Sequence, residues 1–507
     1  MRLCYRETVE KREQAAMALG VEEPELMRRA SEALANAVDE LLGGASGRRV
    51  VVFCGRGKNG GDGYGAAQFL RMRGASVTAV DVGDGDIAPL CHLMREQFEA
   101  SGGDVRAFSD IDDAMLRGAD AIVDAMFGVG FHGELSGRAL DAAKMINDAP
   151  VKVISADLPS GVECDSALAA ENTVKADLTV AFGCAKPAHF VQPAKSYCGR
   201  VIVANIGISG EIEAKFCPNT QLIDEHFVAE RLKPRSRDTH KGDYGKLLIV
   251  GGSMGYTGAP CLATEGALRS GVGIAFLAAP ECVYPIVATA AAREAVCLPM
   301  PSTDRGYSKK ALEPLIERSK SCDALLLGPG LGRSDESDRV AFELIRRAEC
   351  PLILDADGIN AVSENIDILR ERSVPTVVTP HDVEFRRLGG ELGGGRIAGA
   401  AALAERLGAV VVLKGNSTVV AAPDGRVAVN STGNPGMATG GSGDVLAGVI
   451  ASLAAQGMEP FDAAAVGVWL HGRAGDIAAA ELGEYGMLPS DLAGRLPYAI
   501  KPFGSRD

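Results

Sequence analysis

The sequence predicts two α/β domains, each built on a largely parallel sheet. Three observations carry that reading. Short apolar runs of strand length alternate with helical patterns along almost the whole chain. At a soft prior of roughly 150 residues per domain, 507 residues is too long for one core. An irregular stretch at 209–241, with mixed charge, Pro218 and Pro234, separates two such series.

In the first series, short apolar runs predict strands at 48–54, 76–82, 121–124, 151–157, 178–182 and 201–206. Ahead of them, 22–42 carries apolar residues at helical spacing. It predicts a helix that packs on the sheet or at a subunit contact. The second series predicts strands at 246–250, 274–278, 324–327, 352–355, 376–379 and 410–413. Two more, 417–422 and 426–430, are joined by Pro423-Asp424-Gly425 and form a β-hairpin. From Gly443 onward the pattern is helical, and Trp469, the only tryptophan, belongs to the core.

Composition narrows the function classes. The net charge of −14 argues against a nucleic-acid or anionic-membrane surface, both of which need a basic footprint. It leaves room for an anion pocket, because N–H groups at helix N-termini bind phosphate without lysines. The N-terminus is charged from its second residue, unlike a signal peptide. The longest apolar run, 445–458, falls short of the ~18 residues of a spanning helix. The 12 cysteines show no metal spacing. A cytoplasmic protein without disulfides is expected.

Strand 48–54 runs into Gly55-Arg56-Gly57-Lys58-Asn59-Gly60-Gly61-Asp62-Gly63, with a helix expected from near Tyr64. Such a turn either cradles phosphate or simply makes a tight βα connection. Further loops follow strands at Asp124–Glu134, Asp157–Gly161 and Lys186-Pro187, and in an open parallel sheet such loops converge on one crevice. Asn59, Asp124 and Ser160 then offer oxygens with a single carboxylate, which suits a weakly charged cation better than zinc.

These strings, in order GxGxNGGDG, DAxFGxG, DxPSG, VxADLTVxFGxxK and GxVxVxxIGI, resemble the NAD(P)H-hydrate epimerase domain, the YjeF N-terminal family. The resemblance implies a Rossmann-like α/β/α sandwich over 1–215 that interconverts the R and S forms of hydrated NAD(P)H at C6. It implies K+ on Asn59, Asp124 and Ser160. It implies nucleotide contacts from Lys58, Asn59, Gly60, Gly61 and Asp62, from Gly128, Val129, Gly130, Phe131, His132, Gly133 and Glu134, and from Asp157. Asp157 is the candidate acid/base group, since inverting a carbinolamine carbon needs a proton shuttle beside it. A strand-end carboxylate capping the next turn is the alternative. The family usually has Asn where this chain has Lys58, which either meets a phosphate or alters the cation site.

In the second half, Gly433-Asn434-Pro435-Gly436-Met437-Ala438-Thr439-Gly440-Gly441-Ser442-Gly443-Asp444 precedes an apolar helix. Successive N–H groups and the helix dipole would cradle an anion. Asp444, in the first helical turn, is set to accept a hydroxyl proton as that oxygen attacks phosphorus, or is there for dipole reasons alone. This loop resembles the ribokinase-like superfamily. The strings 241–246, 251–259, 328–332, 355–357, 379–381 and 414–418 narrow it to the ADP/ATP-dependent NAD(P)H-hydrate dehydratases.

The resemblance implies a ribokinase-like second domain over 225–507, after a linker at 216–240, so that both domains are doubly wound. It implies that Ala259, Gly330, His381 and Asp444 contact hydrated NAD(P)H. It implies that Lys414, Gly415, Asn416, Ser417 and Thr418, with Asn434, Pro435, Gly436, Met437, Ala438, Thr439, Gly440, Gly441, Ser442 and Gly443, hold ADP or AMP. Val383 stands where the family has Gly, beside His381. Asp355 and Asp357 either place Mg2+ or sugar hydroxyls or cap the next helix.

Together the halves imply a bifunctional repair enzyme for NADHX and NADPHX, the hydrated cofactors. Its first domain would epimerise and its second would dehydrate the S form, turning ADP into AMP and phosphate. Expected partners are those small molecules and a second copy of the chain, with no nucleic acid and no membrane. A small-molecule kinase with an accessory domain would share Asp444 and its cradle; a non-catalytic nucleotide sensor would show no turnover.

Overall fold

The computed structural model describes residues 1–504. The chain divides into two compact units at Thr220/Gln221. The first is built on β1 (Arg49–Cys54), β2 (Ser76–Asp81), β3 (Asp104–Ala107), β4 (Ala121–Ala125), β5 (Lys152–Ala156), β6 (Leu178–Phe182) and β7 (Arg200–Ala204). Their spatial order is β3-β2-β1-β4-β5-β6-β7. All pairings are parallel, as in a Rossmann-like sheet. β4 and β6 are buried along their whole length, and β1 from its second residue on, because helices cover both faces. The expected leading helix is Glu23–Leu42. Its Leu26, Met27, Ala30, Leu34 and Val38 form a buried stripe, with a buried leucine worth roughly 1.5–3 kcal/mol.

The second sheet holds β8 (Thr220–Ile223), β9 (Lys246–Val250), β10 (Ile274–Pro280), β11 (Val296–Met300), β12 (Ala324–Leu327), β13 (Leu352–Leu354), β14 (Thr376–Val378), β15 (Val410–Leu413), β16 (Val419–Ala421) and β17 (Val427–Asn430). Its order is β11-β10-β9-β12-β13-β14-β15-β16-β17-β8. Pairing is parallel from β11 to β15 and antiparallel through the expected hairpin β16–β17, where Gly425 turns at φ 89°. Helices Ser442–Ala455 and Pro460–Leu482 supply much of the core, and Trp469 lies in it edge-on to Phe503.

Three expectations are corrected. The stretch 216–240 is no plain linker: it contains β8 and the helix Glu225–Arg231. A four-residue strand with two apolar side chains, between Pro218 and Asp224, leaves no periodic signal. β3, largely exposed, and β11, partly exposed and interrupted by Pro299, are also unexpected edge strands. The third correction concerns the first glycine run. Its helix starts at Lys58 rather than near Tyr64, so most of the predicted loop is helical. A Cβ on Gly60 would lie 1.8 Å from the Gly55 carbonyl, and one on Gly63 2.6 Å from Ala125. These glycines let a helix press against β1 and β4.

Candidate active sites

In an open parallel sheet, a crevice forms at the carboxyl ends where neighbouring strands send their connections to opposite faces. In the first sheet that point lies between β1 and β4. A cavity of about 1050 Å³ opens there, a size suited to a nucleotide-like ligand. Its walls include Lys58, Asn59, Asp62, Phe131, Asp157 and Lys186. Gly128, Val129 and Gly130 also line it. His132 lies instead against Arg6, the Gly133 N–H bonds Glu163, and Glu134 accepts from the Glu171 N–H. Gly60 and Gly61 face protein.

Asp157 leaves β5 with φ +63°, a conformation rare outside glycine. Its Oδ1 accepts from the Lys186 ammonium at 2.5 Å and from the Phe182 N–H at 3.0 Å. Its Oδ2 faces the space over Gly128, where a Cβ would meet it at 3.5 Å and Asn59 Oδ1 at 3.2 Å. Burial works against the Lys186 charge, yet Asp157 more than offsets this and raises the ammonium above the usual lysine range. Further acids line the cavity, Asp62 and Glu13 among them. Burial first, then the charges of Asp157 and Glu13, push Asp62 well above the carboxylate range; burial likewise raises Glu13.

The three expected cation ligands are brought together through Phe127. Asn59 Nδ2 donates to the Phe127 carbonyl at 2.8 Å, the Phe127 N–H donates to Ser160 Oγ at 3.1 Å, and Ser160 Oγ donates to Asp124 at 2.6 Å. Asp124 is fully buried, and its partners are all neutral: Ser155 Oγ, Ser160 Oγ, and the Ser160 and Met126 N–H groups. Burial raises its pKa. A buried carboxylate with no counter-ion among the described residues, in an oxygen-bearing set, fits a monovalent cation. Lys58 turns away from this set, with its ammonium 2.6 Å from Glu23 and 3.7 Å from Glu13.

The second sheet changes direction between β9 and β12, where loops 251–257 and 328–334 meet. Gly330 sits at φ +59° with Tyr256 O 2.6 Å from where a Cβ would be, and Ala259 is beside it. The helix Ser442–Ala455 starts after Gly441 at φ 103°; as at any helix start its first-turn N–H groups lack intrahelical partners, and that of Ser442 donates to the Thr439 carbonyl at 3.3 Å. Asp444 lies in that turn. Burial, and then the charges of Asp355 and Asp357, push it up to about 7, against the pull of Lys414. The Lys414 ammonium donates to Asp355 Oδ1 at 2.7 Å and lies 3.5 Å from where a Gly443 Cβ would be. Burial opposes the Lys414 charge, but Asp355 and Glu384 raise its pKa on balance. Asp357 accepts from the Gly332 N–H at 2.9 Å.

His381 caps the helix Asp382–Arg387. Its Nδ1 accepts from the Val383 and Glu384 N–H groups, and Glu384 Oε2 accepts from the His381 N–H at 2.9 Å. Val383 is an ordinary half-exposed residue of that helix, so nothing at this turn requires glycine. The segment Lys414–Thr418 closes on itself through Thr418 Oγ1 and Gly415 O, with Ser417 at φ +62°. Asn434 caps the turn Pro435–Met437, and Asp476 ties down both its amide and the Gly433 N–H.

Sequence reasoning gave no role to Lys186, His189, Glu13, His471 or Asp476. One signal was present: a lysine in the apolar run Ala181–Pro187 must find a carboxylate to be buried. His471, whose Nε2 lies 2.9 Å from the Ser442 carbonyl beneath the cradle, gave none.

The model of the YjeF-related protein N-terminus matches residues 23–188, and that of NAD(P)H-hydrate dehydratase matches 247–498. The bifunctional NAD(P)H-hydrate repair enzyme Nnr of Moorella thermoacetica is 40% identical over 470 residues, which cover 90% of this chain and 88% of that one. The enzyme of the same name from Thermofilum pendens is 39% identical over 505 residues, covering 96% and 94%. Among solved structures, a ribokinase-like superfamily protein of Enterococcus faecalis aligns with a TM-score of 0.50 at 27% identity. That alignment covers 56% of this chain and 97% of its own.

Proposed function

The chain belongs to the bifunctional NAD(P)H-hydrate repair enzymes, and from that premise we propose that its two sites act in turn on one damaged cofactor. Hydration of the reduced nicotinamide ring leaves a C6 carbinolamine as two epimers. The first site interconverts them. The second transfers a phosphoryl group from ADP to the C6 hydroxyl of the S epimer. Phosphate, a far better leaving group than hydroxide, then departs as the ring nitrogen pushes electrons in, and loss of a proton from C5 of the resulting iminium restores the C5–C6 double bond, leaving NAD(P)H, AMP and phosphate.

Asp444 carries this reading. A carboxylate held near 7 in the first turn of this helix takes the hydroxyl proton and meets the phosphoryl group at an anion-binding end. Lys414 and the loop Asn434–Gly443 hold the nucleotide, while Ala259, Gly330 and His381 hold the hydrate. Asp355, Asp357 and Asp444 against one ammonium leave excess negative charge. Mg2+, held largely by the ADP phosphates with one or two of these carboxylates, would neutralise charge on the transferring group.

In the first site Asp157 Oδ2 moves the proton beside C6, and Asp62, whose pKa burial raises, lines the same cavity. K+ on Asn59, Asp124 and Ser160 would supply a fixed positive charge beside the ligand.

Recovery of reduced-nicotinamide absorbance from a mixed-epimer hydrate with ADP and Mg2+ tests the whole scheme. Full recovery by the native chain, loss with Asp444→Asn, and recovery of only the S fraction with Asp157→Asn are expected. No recovery with either ADP or ATP overturns it.

A further inference from the structure

We propose that Lys186 is the positioning residue of the first site: it fixes Asp157 so that Oδ2 alone faces the ligand, and it provides that carboxylate's counter-charge. The inference rests on Asp157 as the acid/base group. Lys186 is fully buried, where an ammonium survives only if paired and bonded. It donates to Asp157 Oδ1 at 2.5 Å and to the Phe182 carbonyl at 2.8 Å. Phe182 returns its own N–H to the same Oδ1. That oxygen is thereby saturated and turned inward, and Oδ2 is left over Gly128.

His189 closes the clamp. Its Nδ1 accepts from the Lys186 N–H at 3.0 Å, so Nε2 carries the proton and donates to the Asp157 carbonyl at 2.7 Å. Burial first, then the Lys186 charge, hold His189 down at about 4, so the ring is neutral as this tautomer requires. One loop, from β6 onward, thus grips both the side chain and the main chain of a residue held at φ +63°. Glu13 and Asp62 line the same cavity, but among the described residues only Asp157 is bonded to a wholly buried ammonium.

The test uses the full-length protein and the separated R hydrate, with excess Asp157→Asn chain added to consume the S form as it appears. For Lys186→Ala, kcat of epimerisation above the spontaneous rate should fall roughly 100-fold while KM stays within about threefold. Lys186 lines the cavity, so ethylammonium can reach the vacated space. It should restore Lys186→Ala saturably by roughly tenfold and leave Asp157→Asn unchanged. A kcat within about threefold of native, or a loss that ethylammonium does not relieve, overturns the proposal. Should Lys186→Ala not fold, Lys186→Gln keeps the reach and the bond to Phe182 but not the charge, and a near-native kcat there is equally fatal. If Asp157→Asn itself epimerises at the native rate, the underlying reading of Asp157 fails instead.

Discussion

Replacing Asp444 by Asn should abolish dehydration and at the same time make the protein more stable. The folded state moves this carboxyl from its ordinary 3.8 to about 7, by burial and by Asp355 and Asp357. Above pH 7 the group is charged in both states, and the folded state bears the whole difference, about 4 kcal/mol as a ceiling. Water at the partly exposed carboxylate and the attraction of Lys414 reduce this to roughly 1–2 kcal/mol. Asn carries no charge and escapes the penalty. The sign follows from proton uptake: between 3.8 and 7 the folded state binds the extra proton, so the penalty fades as pH falls through that window. At pH 8, calorimetry of the full chain should show the second unit's transition raised by roughly 2–4 °C in Asp444→Asn. At pH 4 the two proteins should melt together. A variant that is less stable than native at pH 8, or equally shifted at both pH values, would refute the electrostatic origin of the raised pKa.

Gly330→Ala puts a Cβ against the Tyr256 carbonyl at φ +59°, so KM for the S hydrate should rise by at least about tenfold, read from initial rates at saturating ADP. Lys58→Asn removes only a half-exposed ion pair with Glu23 and Glu13. Epimerase rate should change less than about twofold and stability by less than about 1 kcal/mol in chemical unfolding. Exchanging K+ for Li+ should slow epimerisation of the R hydrate while dehydration of the S hydrate holds, since only the first site has the Asn59–Asp124–Ser160 oxygens. Asp476→Ala frees Gly433 and Asn434, and KM for ADP should rise roughly tenfold with kcat far less affected.

Most of this architecture is readable in the sequence because parallel strands covered on both faces are continuous apolar runs, as at Val50–Cys54 and Ala324–Leu327. The edge strand β3 escaped for the converse reason: Asp104–Ala107 is exposed and has no hydrophobic pattern to read. The glycine run at 55–63 reads as a loop because Gly is a poor helix former. What fixes its conformation is close packing on Gly55 and Ala125, a tertiary effect. For the sites, short strings located Asp157 and Asp444. The groups that tune them come from elsewhere: Lys186 and His189 from the loop after β6, Asp355 and Lys414 from the ends of two other strands. Such partnerships depend on strand order, which no local pattern encodes.

The edge strand β8 bears on how the two activities can be dissected. A truncation beginning at 216 carries Thr220–Ile223 with the second half and keeps the ten-stranded sheet whole. One beginning at 225 or 241, where the sequence alone invites the cut, removes that strand and bares the backbone N–H and C=O groups of Val427–Asn430. A buried segment with two valines then becomes an open template for pairing with other chains, so the shorter fragment would fail by aggregation while its catalytic residues were all present.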